Sequence, residues 1–232
     1  MPTSVTKVTP YAALQARVRQ RPAQPLVTFH DLATRERMEL SAATLDNAVA
    51  KVAGLLRDEL DVLPGDRIGV HLPLHWQRAV WWGACAATGA SFVAEGAPDA
   101  VDVCVIDRDH LALIGLARDD VLVSLEPFGL PSREPVPPGV VDAAVAARAH
   151  PDVFVPYVEP PDDGTMQEAQ QLIDARGLTA GSPVLVLDDD PDRDLLMLAV
   201  PLALDGSSVL VRNPNAGDLA AVVRAEGLAD GR

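Results

Sequence analysis

Apolar residues in this chain fall into short continuous runs and into stripes at helical spacing, and the two kinds alternate from one end to the other. The clearest unit is 62–94, VLPGDRIGVHLPLHWQRAVWWGACAATGASFVA. Pro64, Gly65 and Asp66 supply its turn, because proline presets φ, glycine tolerates φ > 0 and aspartate bonds a nearby backbone N–H. Arg67 to Leu72 reads as a buried strand, and His75 to Thr88 is long enough for a helix. Gly89 stands where a left-handed cap is wanted, and Ala90 to Ala94 reads as a second buried strand. Strand, helix and strand in that order predict a βαβ crossover.

Upstream, Tyr11, Leu14 and Val18 lie at helical spacing within 11–20. PLVTF at 25–29 and RMEL at 37–40 read as a hairpin. Ser41 is a good N-cap for a helix whose stripe is Leu45, Val49, Val52 and Leu56, with Asp46, Lys51, Arg57 and Asp58 on its wet face. Downstream, VDVCVID is expected as a strand, DRDHLALIGLA as a short helix and VLVSLEPF as a strand. Four prolines in 130–139 demand a long loop. A helix over 140–149, a strand DVFVPYV at 152–158 and an abrupt turn EPPDDG follow. Thr165 and Glu168 then match a capping box for a helix running to Arg176, with Gly177 as its stop. SPVLVL, a helix over 193–205 ending at Gly206, SSVLVR and a helix over 216–226 complete the pattern. Such βα alternation argues for an α/β fold with mostly parallel sheets.

Length and charge narrow the function classes. A chain of 232 residues, nearly half apolar, can bury a real core. Its formal charge of −14 disfavours a nucleic acid or an anionic membrane as partner. Cys85 and Cys104 sit in apolar contexts without metal-type spacing and read as buried thiols. The N-terminal MPTSVTKVTP has no apolar signal core, so a cytoplasmic protein is expected. Lys7 and Lys51 are the only lysines.

PLVTF, the Ser-capped helix ending LLRDELDVLPGDRIGVHLP, and WQRAVWWGACAATGASFVAE together resemble the opening of the adenylate-forming enzymes. These are the acyl-CoA synthetases, peptide-synthetase adenylation domains and luciferases. LMLAVPLALDGSSVLV at 196–211 is similar to a later helix–strand step of the same family. The resemblance implies two packed α/β layers. One sheet is expected from 67–158, and a second from 25–40 with 183–212, within a single truncated large domain over 1–232.

Departures from the family decide the expected chemistry. Where the family places a glycine-, serine- and threonine-rich loop whose N–H groups wrap the ATP phosphates, this chain has EPPDDG at 159–164. Pro160 and Pro161 have no N–H, and Glu159, Asp162 and Asp163 repel a triphosphate. The family's later adenine, ribose and hinge motifs and its catalytic lysine are not found before residue 232. The resemblance therefore implies a pseudoenzyme that acts by binding a protein or a ligand, with a homodimer expected from faces left without their usual cover. No catalytic, cofactor-binding or metal residue is assigned, and no cofactor is expected. The alternative is a small-molecule binder or enzyme with other chemistry.

The remaining candidates have plainer readings. Asp188, Asp189, Asp190, Asp192 and Asp194 end an apolar strand, as in aspartyl phosphatases of the haloacid dehalogenase type. Asp192 stands where threonine or valine is wanted, so a solvated turn capping the next helix is favoured. Trp76, Trp81 and Trp82 crowd one helix and read as packing residues. His71 and His75 lie four apart across Pro73, which is not metal spacing, and with His30, His110 and His150 they read as loop or surface residues.

Overall fold

The computed structural model describes residues 8–94 and 100–228. Lys7, and Glu95 at the end of the family-like segment, lie outside the described residues. The described strands form two sheets. The first contains β1 (Pro25–Asp31), β2 (Glu36–Ser41), β8 (Pro183–Leu187) and β9 (Ser207–Arg212), in the order β2-β1-β9-β8. Only its β1–β2 hairpin is antiparallel. The second is all parallel, in the order β4-β3-β5-β6-β7, from β3 (Arg67–His71), β4 (Ser91–Ala94), β5 (Val103–Ile106), β6 (Asp119–Leu122) and β7 (Val141–Asp142).

Helices α1 (Pro10–Gln20), α2 (Ala42–Gly54) and α3 (Trp76–Thr88) pack against one another, and α3 touches β1 of one sheet as well as β3 and β4 of the other. A helix shared between two sheets must be apolar nearly all round, and eleven of the thirteen residues of α3 are buried, including all three tryptophans. His75 caps its start by accepting the Gln77 N–H, and Gly89 closes it at φ 75°. Ser41 caps α2 through the Thr44 N–H, and Leu55–Glu59 extends α2 by one wide π turn. Strand alternation sorts the core. Val103 and Val105 face the central helices, while Cys104 and Ile106 face an outer layer with Leu111 and Val136. In β9 Leu210 points inward, and Val209 and Val211 meet Val222 of α7 (Leu219–Ala225) outside.

Several expectations need correction. Residues 152–158 form no strand, because this segment has no ladder partner and Pro156 lacks an N–H. It lies on the surface, tied by the Tyr11 hydroxyl to the Phe154 carbonyl at 2.9 Å and by Arg57 to the Val155 carbonyl at 2.8 Å. Val153, Val155, Tyr157 and Val158 are exposed, and only Phe154 is buried. Residues 140–149 are not one helix but β7, the single turn α4 (Ala143–Ala146) and a 3-10 turn. Asp142 causes the break, since it caps α4 by accepting the Ala144 N–H at 3.0 Å. The strand expected at 121–128 shifts to 119–122.

The capping box at Thr165 does not form. Gly164, at φ 85°, is the N-cap of α5 (Thr165–Arg176), which places Thr165 inside the first turn. The proline-rich 130–139 is a loop. Arg108 holds it through Ser132 Oγ at 2.8 Å and the Glu134 carbonyl at 2.6 Å.

Candidate functional site

Parallel strands leave a crevice beyond their carboxyl ends, and this molecule brings four such ends together. His71 ends β3, Asp107 follows β5, Asp188 follows β8 and Arg212 ends β9, around a cavity of about 400 Å³. Two side chains lock the ends of the sheets. Asp188 Oδ1 accepts the Leu74 N–H at 3.1 Å, joining the turn after β8 to the loop after β3. Arg78 of α3, wholly buried, donates to both oxygens of Asp194 at 2.7 and 2.9 Å and to the carbonyls of Val70 and Leu72 at 3.2 and 2.5 Å.

Acidic residues beyond β8 are engaged, not merely solvated as the sequence suggested. Arg176 donates to Asp190 at 2.7 and 2.8 Å and to Asp192 at 2.5 Å. The Arg176 guanidinium holds the Asp190 carboxyl below its usual range, and the two aspartates push Arg176 upward in turn. Guanidiniums from α3 and α5 thus answer the carboxylates that the sequence crowds into this one turn. Among the described residues, no group of three histidine, cysteine, aspartate or glutamate side chains is placed to hold a metal ion.

Histidine placement departs furthest from the sequence reading. His71 and His75 are 8% and 1% exposed, because the two sheets close over the end of β3. His75 Nδ1 accepts the Gln77 N–H at 3.2 Å, so its ring proton sits on Nε2, which has no hydrogen-bond partner among the described residues. Burial, helped by the Arg212 charge, lowers its pKa to about 3, which leaves the ring neutral. His30 pairs with Glu226 and His150 with Glu59, each at 2.9 Å, and His110 meets Asp107 at 2.6 Å. Both cysteines are buried and free, and burial raises both thiols, Cys104 to about 11.

Arg212 and Arg78 were missed by sequence reasoning. Arg78 had a signal, as the single charge in an otherwise apolar helix. Arg212 had none, since an arginine closing a strand is ordinary until the neighbouring elements are known.

In residues 159–164 and the residue that follows, backbone donors are already in use. Asp162 Oδ1 accepts the Gly164 N–H at 3.1 Å, and Asp163 Oδ1 accepts the Thr165 N–H at 3.0 Å. Pro161 packs beneath Gly89, where an added Cβ would lie 3.0 Å from its Cδ.

No family model matches the chain. Its fold matches an acetoacetyl-CoA synthetase from Streptomyces lividans with TM-score 0.69 and 20% identity, over 88% of this chain and 38% of that one. It also matches an acyl-CoA synthetase from Brucella canis with TM-score 0.73 and 16% identity, over 97% of this chain and 47% of that one. The chain thus has the fold of part of these synthetases and spans less than half of either. A curated relative from Mycobacterium tuberculosis (strain ATCC 25618 / H37Rv), the TIGR03089 family protein, is 37% identical over an alignment of 223 positions that covers 88% of this chain and 89% of the relative. With that identity sustained over that length, the chain belongs to the TIGR03089 family.

Proposed function

We propose that this protein is a non-adenylating member of the acyl-CoA synthetase fold that acts by binding. The observation that carries this reading is the state of residues 159–164. Pro160 and Pro161 offer no N–H, and the N–H groups of Gly164 and Thr165 are satisfied by Asp162 and Asp163. A triphosphate would have to displace two carboxylates from the donors it needs while standing beside their charge, which opposes binding twice over.

Against the alternative of a phosphohydrolase at the 188–194 turn stand the pairing of Asp190 and Asp192 with Arg176 and of Asp194 with Arg78, and the use of Asp188 Oδ1 by the Leu74 N–H. Pyrophosphate exchange with ATP and a panel of carboxylic acids is the test. No exchange above buffer is expected, and sustained exchange with any acid overturns the reading.

A further inference from the structure

A second cavity, of about 500 Å³, opens between the β1–β2 turn and the loop after β6. Its floor holds His75 and Arg212, and its rim holds Arg35 together with Leu125, Pro127 and Phe128. Four observations make it a built site.

The His75 Nε2–H is a buried donor with no partner, beside a guanidinium that forms no hydrogen bond or ion pair among the described residues. Buried polar groups left unmet cost stability, and a ligand that meets them recovers it. Asp31 and Glu36 both face Arg212 without bonding to it, Glu36 with a buried Oε1 that has no partner among the described residues, and Asp31 is turned to other work. It accepts from Asn213 Nδ2 at 2.9 Å and from the Ala33 N–H at 2.8 Å.

Phe128 is 75% exposed and sits at φ 60°, ψ 17°, a left-handed conformation that a bulky side chain adopts only at a cost. The backbone behind it is fixed. Gly129 lies so close to Trp76 that an added Cβ would meet its ring at 3.1 Å. A strained, exposed ring held over a polar floor is the arrangement expected where a flat apolar body stacks.

We propose that this cavity binds a small organic monoanion with a flat apolar body, the anionic head on Arg212 and the His75 Nε2–H and the body against Phe128. The charge is single because Asp31 and Glu36 also line the cavity and would repel a dianionic phosphoryl group. Arg212 lines the first cavity too, so an occupant here sits next to the carboxyl ends of both sheets. The inference gives a ligand class to the binding role proposed above but stands on different residues from 159–164. Exchange activity with ATP would remove the former reading and leave this one intact.

Titration calorimetry of the full chain with benzoate, 2-naphthoate, benzenesulfonate and phenyl phosphate tests it. At least one of the three monoanions should bind and raise the Tm, with phenyl phosphate weaker. Arg212→Gln and Phe128→Gly should each weaken binding by about tenfold or more. Neither variant threatens the fold, since Arg212 is only half-buried and glycine relieves the strain at 128. Absence of binding by all three monoanions at about 10 mM, a level that would reveal even very weak sites, overturns the proposal. So does tighter binding of phenyl phosphate, or binding indifferent to both variants.

Discussion

Arg78 and Asp194 form a two-bonded pair that ties α3 to the turn beyond β8. Arg78 is fully buried and the Asp194 side chain 23% exposed. The pair does in side chains what no described strand does in backbone, because among the described residues the two sheets share no ladder. It also fixes the end of β3, since the same guanidinium holds the Val70 and Leu72 carbonyls.

Removing the carboxylate alone leaves a buried cation with two carbonyl acceptors. Loss of one partner from a fully buried pair costs about 3–5 kcal/mol, and water reaching Asp194 lowers the expectation for Asp194→Ala to about 2–3 kcal/mol. Urea unfolding at neutral pH measures it. A change below about 0.5 kcal/mol, the ordinary range for a surface site, would mean that the pair does not lock the sheets.

His75 makes stability depend on pH. Its pKa is about 3 in the folded chain and near 6.5 in the unfolded one, through burial first and the Arg212 charge second. The unfolded state therefore binds the extra proton, and this contribution is fully present above about pH 6.5 and lost as pH falls toward 3. The slope reaches at most about 1.4 kcal/mol per pH unit. His75→Asn keeps an N-cap acceptor for the Gln77 N–H while removing the titration. Its stability should be flatter than the parent between about pH 5 and 6.5, a window above the range where Asp31, held low by its hydrogen bonds against the opposing effect of burial, titrates in either state. Parallel pH curves for the two proteins would exclude the effect.

Gly83 of α3 packs directly against Val49 of α2. A Cβ there would lie 2.6 Å from Val49 Cγ2, and a β-branched side chain on a helix has little freedom to turn away. Gly83→Ala gains about 1 kcal/mol of helix propensity, against a cost of about 1–3 kcal/mol for overpacking. Thermal unfolding should show a lower Tm, and an unchanged or raised value would contradict the packing.

Residues 152–158 depend on Arg57, whose guanidinium lies 4.4 Å from the Phe154 ring centre and 4.1 Å from that of Tyr157 while donating to the Val155 carbonyl. Arg57→Ala should speed proteolytic cleavage within 152–158 several-fold, with little change in global unfolding, because local opening needs only these contacts to break. Equal cleavage rates in both proteins would show that the Tyr11 hydroxyl and the buried Phe154 ring suffice.

Local chemistry made most elements legible. The turn at Pro64, Gly65 and Asp66, the cap at Ser41 and the left-handed Gly89 are decided within a few residues, so β3, α2, α3 and β4 are readable from the chain. Family-like segments around Pro64 and Leu196 indicated the synthetase fold for the same reason, since buried runs and their stops are local signals. Errors came where a segment's state depends on a distant neighbour. VFVPYV has strand composition but no strand to pair with, and Thr165 has the spacing of a cap but Gly164 takes the position. The sequence by itself determined the order of strands and helices and the proline-bearing, acidic content of 159–164. Tertiary structure alone decided that His75 is buried and neutral, that Arg78 meets Asp194 across 116 positions, and that Arg212 stands between two cavities. Burial and charge pairing are properties of contacts between remote residues, and no local pattern encodes them.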